Sequence, residues 1–456
     1  MLNGLADCLI PEVQVGQRYP HCRQRPLQHN PLAPLLTRRF FRTISIMVFC
    51  LLVSACNKEQ PPKTIKVGIL HSLTGTMAIS EKSVVDATLM AIDEINQAGG
   101  LLGKQIEPVV VDGASDWPTF AQGARSLILN EKVSVIFGCW TSASRKTVKP
   151  IIEQYNHLLF YPVQYEGLEQ SPNIIYTGAA PNQQISPAVM WSLKNLGQRV
   201  FLTASDYVFP RAANTLIKKQ VHALGGQIVG EYYLALGDQR VNDMINQISA
   251  AQPDIIFNTI NGDSNLAFFK QLATLDQHIP VMSFSIAEDE LNLLDTSIMT
   301  GHYSAWNYFQ SLDTQDNKAF VARFQKKYGA HRTTNASMEA GYLGVYLWAK
   351  AATNANTVDI STVHEFLKGL SFNAPEGKVT VSAMNNHLWK PLHIGKIQSD
   401  GQFKIIWSQT VPIRPLPFPS YRSNLSWQRY LESLYADWGG SWSAPAARPA
   451  SNGTAK

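Results

Sequence analysis

The stretch VSVIFGCWTSASRKTV, residues Val133–Val148, decides the fold. Val133 to Phe137 is a short apolar run closed by Gly138, the pattern of a buried strand. Cys139 and Trp140 follow, then a cluster of hydroxyls opening on a helical pattern from Thr147 to Tyr155. Thr141 and Ser142 stand where such a helix would be capped.

The same strand–turn–helix rhythm runs outward on both sides. Ile65–Leu70 is predicted as a strand, Ser80–Ala98 as a helix stopped by Gly99-Gly100, Ile106–Val111 as a strand and Thr119–Asn130 as a helix. Leu158–Val163 is the next strand. The pattern restarts with strands at Val200–Ala204, Ile228–Leu234, Asp254–Ile260 and Val281–Phe284, separated by helices at 210–224, 241–251 and 266–275. Helical patterns at 318–328, 338–352 and 363–370 and β-like segments at 377–381, 392–398 and 403–407 complete the chain. Alternation at this spacing predicts an α/β protein of two doubly wound parallel-sheet lobes with a hinge and a central cleft. The Pro-rich segment Pro412–Pro419 is expected to be extended outside the sheets, and Ala444–Lys456 disordered.

Composition narrows the class. The chain has 456 residues, 45% hydrophobic, with a net charge of +5. Much of that charge lies in residues 18–42, which hold six arginines and no acid, so the remainder is close to neutral and nucleic acid is not an expected partner. Arg38-Arg39-Phe40-Phe41-Arg42 followed by the apolar Ile44–Val53 is signal-peptide-like and too short to span a bilayer. Val53-Ser54-Ala55-Cys56 resembles a bacterial lipobox, in which Cys56 would be lipidated and become the mature N-terminus; an ordinary signal peptide cut near Ala55 is the alternative. Residues 1–37 exceed what such a signal needs, consistent with a downstream translation start. Of five cysteines only Cys56 and Cys139 would survive processing, so no disulfide is expected.

In sheets of this kind, ligands bind beyond the carboxyl ends of the strands. Those ends read His71-Ser72-Leu73-Thr74, Cys139-Trp140-Thr141-Ser142, Tyr161-Pro162-Val163-Gln164-Tyr165-Glu166, Ser205-Asp206-Tyr207, Asn261-Gly262-Asp263 and Ser285-Ile286-Ala287-Glu288. They are polar and aromatic with few cations, which suits a small neutral polar ligand. Taken singly, each Ser, Thr or Asp is also an ordinary helix cap, and Trp140 and Tyr161 are ordinary packing residues. Arg145 and Lys146 read as surface or partner-facing positions.

Enzyme signals are weak. Gly99–Lys104 lacks the first glycine and the final Ser/Thr of a phosphate loop and precedes a strand. There is no HExxH and no GxSxG, and the histidines lack metal-ligand spacing, so neither cofactor nor metal is expected. Cys139 at a helix start, with His71 and Glu166, is a conceivable nucleophilic set; a buried, unreactive cysteine is the simpler reading.

Long strings, among them GCWTSASRKTVKP, LLFYPVQYEGLEQSPNIIYTGAAPNQQ, SDYVFPR, NTINGDSN, SIAEDE and AWNYFQSLDTQDN, closely resemble the substrate-binding component of bacterial urea ABC transporters, in the branched-chain-amino-acid/amide group of type I periplasmic binding proteins. The resemblance spans about Ile65 to Pro419. It implies a non-enzymatic protein that captures its ligand between lobes and delivers it to inner-membrane ABC permease subunits, resides in the periplasm, and touches the membrane only through the N-terminal lipid. It also implies lobe 1 at 62–180 plus 310–374 and lobe 2 at 181–309 plus 375–410. The signal would occupy 1–56, a tether 57–61, and a C-terminal extension 411–456. Ligand contacts carried over from amide-binding relatives are Ser142, Tyr161, Tyr165 and Tyr207. Trp140 replaces a tyrosine of the amide sensors and Val163-Gln164 a Thr-Pro pair, which favours urea over a longer amide. Urea offers one carbonyl acceptor and four N–H donors. Ser142 and the Thr141-Ser142 helix start would serve its oxygen, Gln164, Asp263 and Glu288 its amides, and Trp140 with the tyrosines its faces. A short-chain aliphatic amide receptor or amide sensor of the same fold is the alternative.

Overall fold

The computed structural model describes residues 64–445; Cys56, the tether and the end of the tail lie outside the described residues. The first lobe is built from β1 (Thr64–His71), α1 (Ala78–Gln97), β2 (Gln105–Asp112), α2 (Trp117–Leu129), β3 (Ile136–Gly138), α3 (Ser142–Gln154), β4 (Leu159–Tyr161) and β5 (Ile174–Tyr176). Its five strands lie in the order β2-β1-β3-β4-β5, all parallel. Reversal of direction on either side of β1 is the topological switch point at which such sheets open a crevice. Val67, Ile69 and Leu70 on β1 are wholly buried, as befits a strand covered on both faces. Each such side chain contributes about 1.5–3 kcal/mol.

The second lobe follows with α4 (Ile185–Asn195), β6 (Arg199–Ser205), α5 (Val208–Ala223), β7 (Gln227–Leu234), α6 (Asn242–Ala251), β8 (Ile255–Thr259), α7 (Ser264–Leu272), β9 (Val281–Ser283), the single turns α8 (Glu288–Leu291) and α9 (Thr296–Met299), and β10 (Tyr303–Trp306). The run β7-β6-β8-β9-β10 is parallel. The chain then returns through α10 (Gln315–Tyr328), α11 (Ala336–Ala355) and α12 (Ile360–Leu367) to the first lobe. Gly341 on α11 explains how closely α11 and α1 pack: a Cβ there would lie 3.0 Å from Val84 and 3.1 Å from the Thr88 hydroxyl. Trp348, two turns further along α11, meets Phe137 of β3 edge-on. Finally β11 (Ser371–Ala374), β12 (Gly377–Val381), β13 (Leu388–Ile397) and β14 (Phe403–Ile413) extend the second sheet, with β13 antiparallel to β10.

The C-terminal segment differs from the sequence reading. β14 runs to Ile413, paired with Lys390, so the first proline, Pro412, belongs to the sheet edge. Beyond it a helix, α13 (Asn424–Asp437), is capped by Ser423 and seats a wholly buried Trp427 against the second lobe. Residues 438–444 continue as a strap. Val208 donates to the Trp442 carbonyl at 3.0 Å and Ala444 to that of Asp206 at 2.9 Å, both on the second lobe. On the first lobe, Trp117 Nε1 donates to Ser443 Oγ at 2.8 Å and Lys146 lies 5.1 Å over the Trp442 ring. Among the described residues no helix is long and apolar enough to cross a membrane.

Candidate functional site

The carboxyl ends of the two parallel sheets converge. Gln164, just past β4, donates from Nε2 to the Phe284 carbonyl at the end of β9 at 2.7 Å. Around the rim, Thr76 donates to Asp263, Ser80 Oγ to Glu290 Oε1 at 2.6 Å, and Ser83 to Asp289. The start of α1 thus docks on the loops of the second lobe.

The first-lobe wall is the stretch after β3. Gly138 has to be glycine: a Cβ would sit 2.3 Å from the Leu70 carbonyl oxygen of the neighbouring strand. Cys139 takes φ +65°, a left-handed conformation costly for a residue with a side chain, and its N–H is tied to the same carbonyl at 2.9 Å. That twist delivers Trp140 to the strand end. Thr141 is the N-cap of α3, its hydroxyl accepting from Ser144 N at 3.0 Å, so its role is structural. Tyr161 donates to the Trp140 carbonyl at 2.5 Å and so braces the wall.

Beneath this wall lies a charged layer that overturns one expectation. Arg145 and Lys146 are not surface residues: Arg145 is wholly buried and Lys146 nearly so. Arg145 donates to Glu169 at 2.9 Å, to Glu166 at 3.2 Å and to Ser142 Oγ at 3.1 Å. Its guanidinium lies 4.6 Å from the ring centre of Tyr161 and 4.5 Å from that of Tyr165. Lys146 reaches Glu169 at 2.8 Å and Glu166 at 3.5 Å. Two cations therefore face two carboxylates in a neutral buried set, the arrangement in which buried charge is tolerated. Burial works against the ionised forms, yet Glu169 and Glu166 hold Arg145 well above its ordinary value, and Arg145 and Lys146 hold Glu169 well below the carboxylate range. The Ser142 hydroxyl donates to Glu166 and accepts from Arg145, so it is already engaged within this layer. Tyr165 is engaged too. His387 Nδ1 faces the Asn385 carbonyl at 2.5 Å and must donate there, leaving Nε2 to accept from Tyr165 Oη at 2.5 Å. Burial, which pulls His387 down to about 3, keeps it neutral for that role.

Of the buried polar side-chain atoms that lack a partner among the described residues, three stand at the carboxyl ends of the first-lobe strands: His71 Nε2, Trp140 Nε1 and Gln164 Oε1. The Gln164 orientation is fixed, because the Phe284 carbonyl can only accept, so Nε2 faces it and Oε1 faces away. All three residues follow first-lobe strands: β1, β3 and β4. A buried polar atom without a partner in the protein is open to one from water or a ligand.

The second-lobe candidates divide. Tyr207 is buried just before α5; burial and the neighbouring Tyr161 and Glu166 push its hydroxyl well up. Asp263 is half-buried and joined to Thr76 across the rim. Glu288 Oε1 accepts from Gln310 N at 2.8 Å, its Oε2 is unpartnered, and burial raises its carboxyl to about 8. Cys139 has no enzymatic character, since burial, then the charge of Glu81, push its thiol up, away from the thiolate a nucleophile needs. No group of three His, Cys, Asp or Glu side chains among the described residues could hold a metal. Sequence reasoning missed His71 as a site residue and missed the Arg145–Glu166–Glu169 layer. The signal for the layer was the spacing of two cations on the first turn of α3 from the two acids in YEGLE, residues 165–169.

Two doubly wound lobes that converge on buried, unpartnered polar groups define a bilobal solute-binding protein. The model of the periplasmic binding protein domain matches residues 65–424, and the chain belongs to that family. The leucine-, isoleucine-, valine-, threonine- and alanine-binding protein of Pseudomonas aeruginosa is 24% identical over 349 residues, 75% of this chain and 91% of that protein. A limonene hydroxylase of Geobacillus stearothermophilus is 33% identical over 140 residues; the match covers 29% of this chain and 26% of that protein's length. Among solved structures, the solute-binding protein of an ABC transporter from Rhodopseudomonas palustris BisB5, in complex with 3,4-dihydroxybenzoic acid, is similar with TM-score 0.71 at 24% identity, over 77% of this chain and 98% of that one. A leucine-binding protein from Thermotoga maritima gives TM-score 0.68 at 20% identity, over 76% and 98%.

Proposed function

We propose that this chain is the substrate-binding component of an ABC importer, that it captures urea between its lobes, and that it hands the ligand to a membrane permease in the periplasm while anchored through a lipid on Cys56. Of the relatives named above, two are amino-acid-binding proteins and one is in complex with 3,4-dihydroxybenzoic acid, and the urea reading rests on the site instead. Its main support is the pair of unpartnered groups Trp140 Nε1–H, a donor, and Gln164 Oε1, an acceptor. Urea needs one donor for its carbonyl and acceptors for its amides. A carboxylate ligand would need a cation, and Arg145 is already shared between two glutamates. The tyrosines then shape the faces of the site, while Ser142 acts through the Arg145–Glu166 pair. A short aliphatic amide is the second reading, favoured by the same donor and acceptor. Calorimetric titration of the full chain with urea, acetamide, leucine and 4-hydroxybenzoate decides it. Urea is expected to bind most tightly; urea no tighter than millimolar beside a tighter competitor would sink the proposal.

A further inference from the structure

We propose that His71, held by Glu81, is a third polar ligand contact and the one that separates urea from monoamides; this rests on the urea reading above. His71 is the last residue of β1 and is 1% exposed. The parallel register aligns Leu70 with Gly138 and Phe137 with Phe160. The residues one step on, His71 and Cys139, are therefore neighbours at the carboxyl end of the sheet, with Trp140 next along and Tyr161 on the adjoining strand.

The imidazole is held from behind. His71 Nδ1 lies 3.0 Å from Glu81 Oε2, and the same oxygen accepts from Ser72 N at 2.8 Å. A carboxylate oxygen that accepts from a backbone N–H sets the ring: Nδ1 carries the proton and donates, and in the neutral imidazole Nε2 then carries the lone pair. Nε2 has no protein partner. Glu81 is itself 1% exposed, and its charge bears both on the Cys139 thiol of the first lobe and on the Tyr207 hydroxyl of the second. His71 thus stands at the carboxyl end of the sheet, on the strand next to the one that leads into Trp140.

The three atoms together make one donor and two acceptors. Urea, with one carbonyl and two NH2 groups, matches that ratio: Trp140 Nε1–H to the oxygen, Gln164 Oε1 to one amide and His71 Nε2 to the other. Acetamide has only one NH2, and its methyl group would leave one acceptor buried without a hydrogen.

The test titrates the full chain, wild type, His71→Ala and His71→Gln, with urea and with acetamide. His71→Ala should weaken urea about tenfold or more and acetamide much less, so that discrimination between them collapses. His71→Gln, whose carbonyl oxygen reaches close to the Nε2 position, should recover a large part of it. Urea affinity within twofold of wild type, or equal losses for both ligands, overturns the assignment. Should His71→Ala fail to fold, nitrogen-15 NMR of histidine-labelled wild-type chain decides. The expected result is an unprotonated Nε2 whose resonance moves on urea addition; a protonated Nε2, or one indifferent to urea, refutes it. Wild-type chain that does not bind urea at all overturns the functional reading itself, an outcome distinct from these.

Discussion

Replacing Arg145 with methionine tests the charged layer under the site. Methionine fills much of the arginine volume but removes a charge that makes three hydrogen bonds and lies over two tyrosine rings. Glu169 keeps Lys146 at 2.8 Å, whereas Glu166 is left with the Ser142 hydroxyl and Lys146 at 3.5 Å. Removing one partner of a buried ion pair typically costs about 3–5 kcal/mol, because the remaining charge stays out of water. Denaturant unfolding at neutral pH should show a loss of that order. The dependence on pH carries a sign. Glu169 is depressed in the folded chain, so its stabilising contribution is complete above its ordinary value of 4.5 and fades as pH falls below it. The variant, with less depression to lose, should converge on wild type as pH falls. A second substitution, Glu169→Gln, should restore part of the deficit by removing the uncompensated charge. A loss below about 1 kcal/mol at pH 7, the range of an exposed pair, or a gap that widens on acidification, would refute the account of the layer.

Four further outcomes are expected. Trp140→Phe keeps the ring and deletes the indole N–H, so urea affinity should fall about tenfold with little change in unfolding midpoint; unchanged calorimetric affinity would remove Trp140 from the contact set. Gly138→Ala forces a Cβ against the Leu70 carbonyl, so both thermal stability and binding should drop, and a fully stable variant would contradict the close approach. Glu288 is raised by burial to about 8, which means it weakens the fold progressively as pH climbs from about 4.5 to 8; Glu288→Gln should therefore be more stable than wild type at pH 8 and nearly equal at pH 4, read from melting curves. Trp442→Ala, which removes the face that Lys146 covers, should alter urea affinity although the residue belongs to the tail, and identical binding would disconnect the strap from the lobes.

Much of the architecture was legible because periodicity carries it. Val67, Ile69 and Leu70 on β1 and Ile136 and Phe137 on β3 announce buried parallel strands, and the glycine after β3 marks the close approach to Leu70. Gln164 was legible as a strand-end residue because it lies three positions past the end of β4. Other features were not. Arg145 and Lys146 look exposed in any one-dimensional reading, since burying a cation depends on carboxylates more than twenty positions away that only folding brings near. Ser142 read as a free hydroxyl for the same reason. α13 escaped because the prolines of 412–419 imply an extended chain, while the stability of the following helix comes from seating Trp427 on a lobe finished long before it in the sequence. His71 looked like one more polar residue at a strand end until its partner, ten positions on, proved to occupy only one of its two nitrogens.

The strap at 438–444 gives the molecule a tie that its covalent crossovers do not. It is stitched by backbone hydrogen bonds to one lobe and held to the other by the Ser443 hydroxyl and the Trp442 ring. Any rotation that parts the lobes has to stretch or release those two side-chain contacts while the backbone ones remain. The tail therefore behaves as a spring in parallel with the hinge, attached on either side of Tyr207 and at Lys146. Sequence drift within the strap can change how long a captured molecule stays enclosed without altering the strand-end residues of the first lobe.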